Sequence, residues 1–197
     1  MHRRTLSLVT LLLVLSALPM AASQFVQLPF DRVASEANLV VRGTIGDTWS
    51  AWDDAHEVIF TYATVRVQRY FGGSTGPETL VLREVGGTVD GYTQEAIGFP
   101  VIRSGENVVL MLTAWDGSSD YRIHAFNQGK YLVRNRGGVD VLIADPFQQG
   151  DERLGGHGHE VRSNALDEAP GLGIEEFAQM VNDARVAARD HGRNQQQ

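Results

Sequence analysis

The sequence predicts a mainly β protein, a small antiparallel barrel followed by a C-terminal amphipathic helix, on three observations. Through most of Asn38 to Ala144 apolar and polar residues alternate with a period of two, as on half-buried strands. Short glycine-rich turns separate these segments, and no helix-length stretch intervenes to carry a parallel crossover. From Ile174 onward the period changes: Ile174, Phe177, Ala178, Val181, Ala184 and Ala188 fall at helical spacing. No internal repeat is visible.

Residues 1–23 precede this pattern and read as a secretory signal peptide, with Arg3 and Arg4, an apolar run from Leu6 to Leu18, and small residues up to Ser23. The run is shorter than the roughly 20 residues of a membrane span, so no membrane anchor is expected after cleavage. Its leucine-rich core favours the general secretory route over twin-arginine export. The expected location is periplasmic or extracellular. Removing the segment takes away two arginines and no acid, so the mature chain is more acidic than the formal net charge of −7. An acidic chain whose one lysine is Lys130 argues against nucleic acid as a partner. The absence of cysteine excludes a disulfide framework, a thiolate metal site and a cysteine nucleophile.

The chain then divides into a β-barrel domain (24–144), a Gly-, Pro- and acid-rich linker (145–173), the helix (174–190) and a polar, frayed tail (191–197). In the lead-in, Phe30, Val33 and Ala34 suit one amphipathic turn or a short helix. Leu39 to Ile45 is the first strand, with Leu39, Val41, Gly43 and Ile45 on one face. Val58 to Phe71 is the second, a long run with Ile59, Thr61, Ala63, Val65 and Val67 on one side. Thr79 to Val85 and Gly91 to Phe99 follow. Asn107 to Trp115 is almost continuously apolar, as expected of a strand covered on both faces. Tyr121 to Phe126, Lys130 to Arg134 and Val139 to Ala144 complete the set.

Five to seven short antiparallel strands make a closed barrel or a β-sandwich. The long second strand can serve both halves of a barrel, and Gly43, Gly86, Gly87 and Gly98 suit sharp bends, so an OB-like barrel is the expected architecture. The segments Ser35 to Gly43 and Phe60 to Val67 resemble a group of exported bacterial proteins of unassigned role. Gly86-Gly87, Ser104 to Leu110 and Gln128 to Tyr131 extend that resemblance, which covers about residues 33–135. The opening strand is also distantly similar to the barrel of netrin-like and tissue metalloprotease inhibitor modules. Those inhibitors act through an N-terminal cysteine that this chain lacks, so the resemblance implies a fold, and a protease as one partner, without the inhibitory residue.

Candidate chemistry is sparse. Trp49 and Trp52, with Asp53 and Asp54, are expected in a loop between the first two strands, where two indoles beside acids suit a sugar or peptide; the alternative is that the tryptophans plug a barrel end. His157, His159 and Glu160, in a glycine-rich stretch, offer two imidazoles and a carboxylate to a metal, against the plainer reading of a solvated loop. The turn Asp116 to Asp120 is explained as a hairpin turn. Glu84, Glu95 and Glu106 make a carboxylate pair only if folding brings them together. His124 reads as a half-buried packing residue. No nucleophile elbow or phosphate loop is present. Two functions are therefore expected: a non-enzymatic exported module, without cofactor, that binds a secreted protease or an extracellular glycan; or a metal-dependent hydrolase built on His157, His159 and Glu160.

Overall fold

The computed structural model describes residues 27–96, 98–144 and 171–194. A short helix α1 (Phe30–Glu36) leads into ten strands, and a long helix α2 (Ile174–Asn194) ends the described chain. The strands are β1 (Leu39–Trp52), β2 (Ile59–Phe71), β3 (Thr79–Val85), β4 (Gly87–Val89), β5 (Tyr92–Gln94), β6 (Asn107–Ala114), β7 (Tyr121–Ile123), β8 (Lys130–Arg136), β9 (Val139–Ala144) and β10 (Leu172–Gly173). Strands β1, β2, β3, β7 and β6 are hydrogen-bonded in that order, and β6 returns to β1, so the sheet closes. The expected barrel is present, and the sandwich alternative is excluded by that closure. All its pairings are antiparallel except β3 with β7.

Closure depends on the length and bending of β1. Val40–Thr44 pair with β6 on one edge and with β2 on the other, whereas among the described residues Thr48–Trp52 pair with β2 alone. Register shifts after Arg42 and Ile45 bend the strand between these two duties. Gly43 sits at the first bend, where a Cβ would lie 2.6 Å from the carbonyl oxygen of Arg66. Here a side chain has no room.

Beyond the barrel, β8, β9 and β10 extend the sheet from β6. Strands β7 and β8 follow one another along the same edge of β6, separated by a 3-10 turn (Phe126–Gly129). Ala125 and Phe126 both take left-handed backbone there, with φ of 54° and 59°. That turn directs β7 to β3 and β8 away to β9.

The core is two-layered. Inside the barrel lie Val41, Ile45, Ala63, Val65, Leu80, Leu82, Leu110, Leu112 and Ile123. On the outer side of β1 and β6, Val40, Val109 and Met111 meet Val33 and Ala34 of α1 and Phe177, Ala178 and Val181 of α2. Strand β6 is thus covered on both faces, as its unbroken apolar run predicts. Phe177 is the anchor, its ring edge-on to Phe30, Phe71 and Tyr131 at centroid separations of 5.4–5.7 Å. Arg185 ties the helix down further, donating to the carbonyls of Ala34, Ala37 and Gly72 and to Ser74 Oγ.

Several boundaries differ from expectation, among them β7, which ends at Ile123 before the 3-10 turn, and β8, which runs on to Arg136. The fourth strand, expected over 91–99, is a small β4–β5 hairpin from Gly87 to Gln94, because Gly86 and Gly87 at positive φ turn the chain earlier. Leu172 and Gly173, expected in the linker, pair with β9. Residues 191–194, expected as tail, continue α2. Strand β1 runs seven residues past Ile45 and takes in Trp49 and Trp52. The expected signal peptide lies outside the described residues. Among the described residues no helix is long and apolar enough to cross a membrane.

Candidate ligand-binding face

The two tryptophans singled out in the sequence are not in a loop and do not form one platform. They lie on β1, opposite Tyr62 and Ile59 of β2. Side chains alternate along a strand, so a spacing of three sends them to opposite faces. Trp52 turns toward the β4–β5 hairpin, stacks on His56 at 5.2 Å and meets Tyr92 edge-on at 6.0 Å. It packs a corner of the fold. Trp49 points outward, 45% exposed, and stacks almost parallel on Tyr62 (5.4 Å, 8°).

The acids beside them do not converge on a ligand. Asp53 Oδ1 accepts the backbone N–H groups of Glu57 at 2.7 Å and Val58 at 3.0 Å, closing the β1–β2 turn. The Val58 N–H, then the Glu57 N–H, holds the Asp53 carboxyl below the usual range. Asp54 is exposed. Among the described residues no group of three His, Asp or Glu is placed to hold a metal. His157, His159 and Glu160 lie outside the described residues.

From Trp49 a row of side chains crosses the outer face of the barrel. Tyr62 pairs with Arg83 of β3, whose guanidinium carbon lies 3.9 Å over the Phe60 ring and 5.9 Å from the Tyr62 ring. The Trp115 indole lies 5.2 Å from that same carbon and donates its Nε1–H to the carbonyl of Arg83 at 2.8 Å. Arg122 of β7 lies on Trp115 in turn, at 4.9 Å. Stacked rings and guanidinium planes hold each other rigid. Helix α2 covers the other wall of the barrel, and among the described residues no helix covers this one. No protein-family model matches this chain, and no curated protein matches it either.

Tyr62, Arg83, Trp115 and Arg122 were not singled out from the sequence. Arg83 stood as a signal, a cation that with Glu84 interrupts the apolar Leu80 to Val85, but its aromatic neighbours come from strands whose register no local pattern gives. His124 is half-buried as expected, yet it has a carboxylate neighbour: Glu36 Oε2 of α1 lies 3.6 Å from Nε2, and Nδ1 is 2.7 Å from Thr113 Oγ1. Burial lowers the imidazole pKa, and Glu36 opposes that shift.

The three glutamates answer to different neighbours. Glu84 points into the barrel end, 3% exposed, and accepts the Ile123 backbone N–H. Glu106 pairs with the buried Lys130 at 2.8 Å, and Glu95 is exposed.

Proposed function

We propose that the protein is an exported, non-enzymatic module that binds an extracellular glycan on the outer face of β1, β2, β3 and β7. The single observation that carries this reading is the Trp49–Tyr62 stack. It is a rigid aromatic surface whose outer member, Trp49, is 45% exposed, on the barrel wall that the described helices do not cover. Sugar rings pack their C–H faces against such surfaces, and a ring already fixed in place loses little entropy on binding. An outer sheet face is also where OB-like barrels take oligosaccharides. Neighbouring strands lie about 4.8 Å apart, so a row across four of them spans about 15 Å, room for a few sugar units.

The test is retention of the purified protein on a panel of insoluble and soluble polysaccharides. Trp49→Ala is expected to weaken retention by about tenfold or more while leaving thermal unfolding close to that of the parent protein. Trp52→Ala is expected to do the reverse, lowering the unfolding temperature because it packs against His56 and Tyr92. Retention on no polysaccharide, or an undiminished Trp49→Ala variant, would overturn the reading.

A further inference from the structure

Arg83 and Arg122 each follow the paired residues Leu82 and Tyr121 by one position on neighbouring parallel strands, so two guanidiniums project side by side. Like charges on adjacent strands oppose one another. Four other arginines among the described residues pair with acids: Arg32 with Glu36, Arg42 with Asp140, Arg69 with Glu175, Arg103 with Glu106. Neither Arg83 nor Arg122 has an acidic partner among the described residues, and Arg83 Nε is buried without an acceptor. The acids that feel them are otherwise engaged. Asp53 spends its Oδ1 on the β1–β2 turn, and Glu84 faces the barrel interior. What the two arginines share is the indole of Trp115, which lies within about 5 Å of both.

Two adjacent guanidiniums without an acidic partner among the described residues, held beside one aromatic ring, make a receptor for an anion. We propose that this face selects an acidic polysaccharide, whose carboxylates seat at Arg83 and Arg122. This inference rests on the glycan reading and adds its charge. A planar carboxylate accepts two parallel N–H bonds from a guanidinium, a match that a neutral hydroxyl does not offer. The net negative charge of the chain opposes a polyanion in general, so the attraction is local to these two arginines.

The experiment compares polygalacturonate with its fully methyl-esterified form, two polymers of one backbone that differ in charge, using the intact protein. Binding to polygalacturonate is expected to be about tenfold or more tighter and to weaken as salt rises. Arg122→Gln, at an exposed position, is expected to lower that affinity and reduce the salt slope by about one while leaving unfolding unchanged. Arg83→Met, which keeps an unbranched apolar side chain but removes the guanidinium from Phe60, is expected to lower that affinity likewise. Equal binding to both polymers would overturn the charge inference and leave the glycan reading standing. Binding to neither would overturn both. Tighter binding to a single-stranded oligonucleotide than to polygalacturonate would reassign the face to nucleic acid and also overturn it.

Discussion

Glu84 is the residue whose chemistry departs furthest from its ordinary state. Burial at the barrel end raises its pKa to about 8, while the Ile123 N–H and Arg122 pull the other way. At neutral pH the carboxyl is therefore protonated in the folded protein and ionised in the unfolded chain. The unfolded chain then binds fewer protons, so this group's contribution is fully present below about pH 4.5 and is lost as pH rises to about 8. Glu84→Gln keeps an acceptor for Ile123 and removes the titration. It is expected to raise stability by a few kcal/mol at pH 8, with little change at pH 4, in urea unfolding at the two pH values. A variant that destabilises equally at both would show that the carboxyl is held ionised. Neither its burial nor its partner was legible in the sequence, where Glu84 is one acid in an alternating strand. The alternation does place it on the same face as Leu80 and Leu82, and that was the available clue.

At the scale of elements, α2 and β1 carry the argument. The helical period from Ile174 is plain, and the residues it marks, Phe177, Ala178, Val181 and Ala184, are those the structure buries. The helix lies on the outer wall of a barrel already closed by β1 and β6, because Val40, Val109 and Met111 present an apolar outer face that needs cover. Phe177→Ala removes a ring edge-packed on three others and is expected to cost about 3–5 kcal/mol in chemical unfolding. A cost below about 1 kcal/mol would mean the helix is loosely docked. Strand β1 was read too short, since the bulge after Ile45 shifts its alternation and hides the continuation through Trp49 and Trp52.

Over the whole molecule, one strand sits where both cores meet. Residues 108–110 of β6 are paired on both edges, with β1 and β8, and are covered on both faces. Their amides are expected to exchange with solvent through global unfolding alone, the slowest in the protein, whereas those of the two-stranded β4–β5 sheet exchange by local opening. Hydrogen exchange resolved along the chain checks this. Equal protection of the two regions would contradict it.

Composition and periodicity by themselves determined the β class, the short antiparallel connections, the doubly covered sixth strand and the helix with its buried stripe. Each of these is written in neighbouring residues, as a period of two or 3.6 or as a glycine turn. Only the tertiary structure decided how the barrel closes, which wall α2 covers, and that Trp49 and Trp52 part company across β1. Only it assembled Trp49, Tyr62, Arg83, Trp115 and Arg122 into one row, from four strands and a turn. The reason is physical: side-chain alternation is local, but which strands become neighbours, and in what register, is set by the core that the whole chain buries together.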